Sequence, residues 1–179
     1  MDADWSTLPI LGGGYGPKKK RNSPAWLVVH HSYTDIKGRV KPATWWAGVF
    51  DRIHRKDNGW SSIGYHFVIS PEGEIARGRW ETARGAHSVG FNSQSIGLCL
   101  VGNFDISDPP SQQWSTLRAL CLDLMRRYGI LASNVIGHRE ANILHYGEMR
   151  KTCPGKLVDM SEFREDLAVE AWMHKTGWV

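Results

Sequence analysis

A chain of 179 residues with 41% hydrophobic content is long enough to bury one substantial core and too short to expect two domains. Its formal charge is +4, and the run Lys18-Lys19-Lys20-Arg21 carries that many positive charges by itself, so the basicity is local and no nucleic-acid partner is expected. The odd cysteine set Cys99, Cys121 and Cys153 argues against a disulfide framework, no run approaches the roughly 18 apolar residues of a membrane span, and Met1-Asp2-Ala3-Asp4-Trp5 lacks the basic-then-apolar pattern of an export signal. A soluble monomer folded in a reducing cytoplasm, with no membrane insertion, is the expectation.

Residues 1–24 hold Gly12 to Gly14, Gly16-Pro17 and the basic run, a composition that buries little apolar surface and predicts a flexible basic arm. Trp26 to Val29 then gives four apolar positions in a row, the pattern of a strand buried on both faces, and it stops on His30-His31-Ser32. A helix is predicted over Ala43 to Asp57, with Trp46, Val49, Phe50 and Ile53 spaced for one face and Asn58-Gly59 closing it. His54 lies within a turn of that end and reads as an imidazolium suited to the helix dipole rather than as a ligand.

Gly64 to Ser70 and Glu74 to Gly78, separated by Pro71-Glu72-Gly73, form a predicted hairpin. Ser95 to Val101 follows as a central strand with Ile96, Leu98 and Leu100 on one face and Gly97, Cys99 and Val101 on the other, so Cys99 is expected to pack rather than react. The clearest helix has Ser111 as its cap, Trp114, Leu117, Leu120, Cys121, Leu124, Met125 and Tyr128 at helical spacing, and Gly129 as its end. Asn134 to Ile136 is a predicted strand delivering His138, and Arg139 to Arg150 a polar loop before Lys151-Thr152-Cys153-Pro154-Gly155. Ser161 would cap a last helix carrying Phe163, Leu167 and Ala171, with residues 173–179 as a tail. Strands alternating with long helices predict a single α/β domain, a central mixed β-sheet flanked by helices.

Two imidazoles and one thiolate are three of the four ligands that tetrahedral zinc takes, and a fourth position left to water marks a catalytic site. The histidine pair, His138 and Cys153 therefore point to a zinc hydrolase. Adjacent strand residues face opposite ways, so spacing alone leaves His30 and His31 as alternatives. In an extended segment Lys151 and Cys153 would point to the same side.

Val29-His30-His31-Ser32, Gly59-Trp60, Gly64-Tyr65-His66-Phe67, Gly85-Ala86-His87, Asn92 with Ser95-Ile96-Gly97, Val101-Gly102, Gly137-His138-Arg139 and Lys151-Thr152-Cys153-Pro154 stand in one order along the chain. With these motifs the chain resembles the type-two N-acetylmuramoyl-L-alanine amidases, from about Leu27 to Leu167; this family includes the peptidoglycan recognition proteins and the phage lysozyme that is a zinc amidase. The resemblance implies an amidase domain over residues 25–172, with one Zn²⁺ per chain held by His30, His138 and Cys153 and with Tyr65 and Lys151 as the catalytic pair. The implied reaction is hydrolysis of the amide between the lactyl group of N-acetylmuramic acid and L-alanine in bacterial peptidoglycan. His87 and Asn92 match positions that line the substrate groove in relatives, and a purely structural hydrogen-bonding role is the competing reading for both.

Lys151 stands where many recognition proteins carry threonine, and Cys99 where another branch places a catalytic glutamate. His66 is expected to be a satisfied core histidine, and His145 and His174 carry no assignment. The setting implied is that of a phage endolysin, folded in the host cytoplasm and acting on the cell wall after release. A cytosolic amidase recycling soluble muropeptides and a non-catalytic peptidoglycan-binding or regulatory protein are the alternatives.

Overall fold

The computed structural model describes residues 22–177. Its strands are β1 (Trp26–His31), β2 (Phe67–Ile69), β3 (Ile75–Arg77), β4 (Ser95–Leu100) and β5 (Val135–Gly137), in the order β3-β2-β4-β1-β5. β1 pairs in parallel with β4 and β5, β2 runs parallel to β4, and only the β2-β3 hairpin is antiparallel. The helices are α1 (Ala43–Lys56), α2 (Ser111–Tyr128), α3 (His138–Tyr146) and α4 (Met160–Thr176). The mixed, helix-flanked sheet expected from the sequence is the one found. Among the described residues no helix is long and apolar enough to cross a membrane.

An uninterrupted apolar run suits a parallel strand covered on both faces, and alternation then sorts the side chains between two layers. Leu27, Val29, Phe67, Ile69, Ile96, Leu98 and Leu100 pack on Leu117, Leu120 and Leu124 of α2 and on Phe163 and Leu167 of α4. On the other face Val68, Cys99 and Val101 meet Trp46, Ala47 and Phe50 of α1, while Val28 and Ile136 meet Phe91 and Ala141 of α3. Each fully buried leucine or phenylalanine contributes about 2 kcal/mol. The first and larger layer therefore holds the sheet, and the thinner second layer leaves space beside it.

Several element boundaries differ from expectation. The segment from Arg139 is not a polar loop: His138 opens a helix, whose start is secured where the Gly137 N–H donates to Glu140 Oε2 at 2.7 Å and whose end is closed by left-handed Gly147. Ser111 is the first helical residue of α2 rather than its cap, a place taken by Pro110. Asp159, not Ser161, caps α4, its carboxylate accepting from the Ser161 and Glu162 N–H groups at 2.8 and 3.1 Å. Ile53 is 45% exposed, because the packed face of α1 ends at Phe50. β5 starts at Val135 after a single 3₁₀ turn, Ala132–Asn134, and α4 continues to Thr176, past residue 172. Residues 1–21 of the predicted arm lie outside the described residues. Asn22 is buried, with its Nδ2 donating to the carbonyls of Glu81 and Ser95.

Glu81 holds a corner of the fold. Its buried carboxylate accepts from Tyr128 and from Arg127 at 2.7 Å, both at the end of α2, and lies 3.5 Å from buried Arg77 of β3. Burial opposes the charged carboxylate, but the Arg127 and Tyr128 hydrogen bonds and the Arg127 and Arg77 charges outweigh it and hold the carboxyl below its ordinary value. A depressed carboxyl stabilises the fold above its unfolded pKa, and that contribution fades as the pH falls through the lower folded value. Replacing Glu81 by Gln is expected to lower unfolding stability at pH 7 by about 3 kcal/mol, since the buried negative charge facing Arg77 and Arg127 is removed while Arg127 keeps Asp123. Urea titrations should show the gap between variant and wild type closing below about pH 4, where the carboxyl of the wild type also protonates; a gap that stays constant to pH 3 would contradict this account.

Candidate active site

The sheet delivers its polar residues at the carboxyl ends of its parallel strands, the edge where open α/β sheets carry their sites. Alternation along β1 places Val28 and His30 toward the layer of α1 and α3, and Val29 and His31 toward α2 and α4. His31 lines the groove but stays out of the cluster: its Nδ1 accepts from the Phe104 N–H at 3.1 Å. β5, beside β1, passes directly into α3, whose first residue is His138. Cys153 comes from the segment that follows α3. The three groups converge, with one ligand atom from each of His30, His138 and Cys153 within 4.8 Å of the others. Cys153 Sγ lies 3.7 Å from His30 Nδ1, and the two imidazole centroids are 4.5 Å apart.

A chain of hydrogen bonds decides which nitrogen of His30 faces this cluster. The Ser95 hydroxyl donates to the Phe91 carbonyl at 2.8 Å, so it accepts from His87 Nε2, 3.4 Å away. His87 Nδ1 is then the acceptor for His30 Nε2–H at 3.0 Å, leaving the Nδ1 lone pair of His30 toward Cys153. Gly97 of β4 makes room for the His87 ring, for a Cβ there would stand 2.6 Å from ring carbons. His87 lines the groove, the place expected of it, and it also orients His30. Asn92 lines the groove as well and shapes its loop, its Oδ1 accepting from the His87 and Ser88 N–H groups at 2.8 and 2.9 Å.

Arg139, directly after His138, fastens the cysteine segment. Its N–H donates to the Cys153 carbonyl at 2.7 Å, and its guanidinium donates to the carbonyls of Thr152, Gly155 and Val158. Thr152 Oγ1 donates to Asp105 at 2.8 Å, and Lys151, Thr152 and Cys153 all line the groove. Only position in the chain, next to His138, could have singled out Arg139.

Burial governs the electrostatics of the cluster. It lowers His30 well below the usual imidazole value, helped by the nearby His138 and His87, and takes His138 down to about 4, helped by Lys151. It pushes the Cys153 thiol up to about 12, against the opposing charges of Lys151 and Arg139. Neutral imidazoles and a thiol that a divalent cation would deprotonate are a donor set that fits zinc. Tyr65, its ring 5.3 Å from that of His30, is raised well above its ordinary value by burial and then by Cys99 and Cys153, so its phenol keeps its proton. Cys99 is buried and its thiol is also pushed up by burial, consistent with packing.

Around the cluster lies a groove of about 1130 Å³ whose lining includes Tyr33, Trp60, Tyr146, Arg150, Lys151 and Lys156. His54 also lines it and is not a helix-end cation: its Nδ1 accepts from the Gly64 N–H at 3.0 Å, and burial and then Arg79 lower its pKa. His66 is the satisfied core histidine expected, accepting from the Gly97 N–H and facing the Ala83 carbonyl. His145 stacks against Tyr146 within α3, and His174 sits in the last turn of α4.

The chain is 37% identical to the endolysin of Enterobacteria phage T3 over 145 residues, 76% of this chain and 83% of that protein. It is 29% identical to the human N-acetylmuramoyl-L-alanine amidase over 180 residues, which is 98% of this chain but only 28% of the human protein. Among solved structures, N-acetylmuramoyl-L-alanine amidase LysC from Clostridium intestinale URNW superposes with a TM-score of 0.69 at 31% identity, covering 90% of this chain and 98% of LysC. The sequence profile described as N-acetylmuramoyl-L-alanine amidase matches residues 20–156, a span that holds β1 to β5, His30, His138 and Cys153, and the chain belongs to that family.

Proposed function

We propose that this protein is a zinc-dependent hydrolase that cleaves the amide between N-acetylmuramic acid and L-alanine in bacterial peptidoglycan, with His30, His138 and Cys153 holding one Zn²⁺. The observation that carries the proposal is the convergence of two imidazoles and one thiol, from three separate elements, beside an open groove. When bound, such an ion supplies a Lewis acid that polarises a carbonyl and lowers the pKa of water toward about 7.

The chain's own residues take the remaining tasks. Hydrolysis adds the water oxygen to the lactyl carbonyl carbon, breaks the carbon–nitrogen bond and requires a proton on the departing amine. Tyr65, a protonated phenol beside His30, donates to the carbonyl oxygen as negative charge develops there. Lys151, on the groove wall, adds positive charge near that oxygen and delivers the proton to the amine. His87 holds the His30 ring, and Arg139 holds the segment that carries Lys151 and Cys153. The retained cysteine ligand favours an enzyme over a recognition protein without activity.

The biological role we infer is that of a phage endolysin, made in the host cytoplasm and acting on the wall after release. Its support is the likeness to phage endolysins over most of their length. The purified protein is accordingly expected to release stem peptides from intact sacculi faster than from soluble muropeptides, as measured by the appearance of free L-alanine amino termini. A preference for the soluble fragments would assign it to recycling instead.

Two further measurements address the site. Cys153→Ala should emerge from dialysis without zinc by atomic absorption, and His87→Ala should bind zinc about 10- to 100-fold more weakly while remaining folded; wild-type affinity in both would remove the metal assignment. Tyr65→Phe should retain stoichiometric zinc and lose on the order of a hundredfold in kcat. An unchanged turnover would take Tyr65 out of the reaction.

A further inference from the structure

Tyr33 is in a backbone conformation that folding alone does not ask of a tyrosine. Its φ is 56°, in the left-handed region where a Cβ crowds the neighbouring carbonyl, and nine described glycines occupy positive φ where the fold needs it. Among described non-glycine residues, Lys37 is the one other case, in a turn beside Gly38. The conformation at Tyr33 is imposed by its neighbours. Ser32 N–H donates to the Leu100 carbonyl at 2.9 Å, Ser32 Oγ accepts from the Gly102 N–H at 3.0 Å, and Thr34 N–H donates to the Gly102 carbonyl at 3.2 Å. The residue between must turn away from β4.

Glycine would meet that demand without strain, and the ring gains little burial in exchange, for Tyr33 is 66% exposed. Yet the side chain has a defined place. It lines the groove, with its ring 5.6 Å from that of His31 at an interplanar angle of 68°. A strained, exposed aromatic beside the strand that carries His30 has its use outside the fold.

We propose that Tyr33 is a stacking platform for a sugar ring of the glycan strand, binding polymeric wall across the groove; this rests on the amidase reading of the same site. Two chemistries meet in the substrate. The stem peptide carries carboxylates, which suit Arg150, Lys151 and Lys156 on the groove wall. A pyranose presents an uncharged face of C–H groups, which suits the flat negative face of a phenol ring. Tyr33 brings that face and no cation.

The test uses soluble glycan strands stripped of stem peptides, whose binding is measured by calorimetry without any turnover, so a failure of the amidase reading would not mask the result. Tyr33→Gly is expected to weaken glycan binding on the order of fivefold and to raise KM on sacculi similarly at unchanged kcat. Tyr33→Phe should match wild type in both. The midpoint of thermal unfolding of Tyr33→Gly should stay level or rise, because the strained backbone is relieved. Equal glycan affinity in Tyr33→Gly, a lowered unfolding midpoint, or an equal rise in KM on a muramoyl peptide with a single sugar would each overturn the proposal.

Discussion

His30 can turn a bare Nδ1 toward Cys153 only while its proton sits on Nε2, and His87 is what keeps it there. The order of donors from His30 through His87 and Ser95 to the Phe91 carbonyl runs one way, because its last member, a backbone carbonyl, can only accept. The tautomer of His30 is thus fixed by a backbone group three hydrogen bonds distant. This is the arrangement by which outer partners orient the groups that touch a metal. It also accounts for glycine at position 97, since any side chain there would displace the His87 ring and break the chain at its middle.

That relay is effective because its members stand on elements that cannot slide. β1, between β4 and β5 and buried on both faces, fixes His30 to the sheet, and Ser95 opens the neighbouring strand β4. His138 is joined to β5 with no intervening loop. Cys153 alone arrives on irregular backbone, and there Arg139 takes over the function of a strand by engaging carbonyls at residues 152, 153, 155 and 158. Because Arg139 follows His138 directly, the two members of the cluster from the second half of the chain are tied through one residue.

The elements legible in the sequence were those whose pattern is produced by burial. The apolar run before His30, the alternation through Leu98 and Leu100, and the helical spacing from Leu117 to Leu124 all mark surfaces that face the larger core. α3 left no such mark. Of its nine residues only Ala141 and Asn142 are buried, Ile143 and Leu144 face solvent, and its order comes from Glu140, which accepts from the Gly137 N–H and from Arg164. Propensity rules also named the wrong caps, since Pro110 and Asp159 stand one and two residues before the serines that looked suited to the task. In the site, ligand chemistry pointed to a histidine of the 30–31 pair with His138 and Cys153, family likeness to His30, and folding brings His30, His138 and Cys153 together. The partners of His87, Asn92 and His54 did not, for each is settled by a backbone or side-chain group brought close only by folding.

The charge state of the cluster explains how such a site can be built before a metal arrives. Burial holds His30 and His138 as free bases and Cys153 as a thiol, so the three groups are electrically neutral and bury no charge among them. A divalent cation held there would displace one proton, from the sulfur, and would leave a net positive centre in a poorly solvated place. Small zinc domains use the metal to fold; here two packed layers and the Arg139 contacts already hold the ligands together. Binding energy that would otherwise be consumed in ordering the chain would remain available to a cation held by His30, His138 and Cys153 for acting on a substrate rather than only bracing a fold.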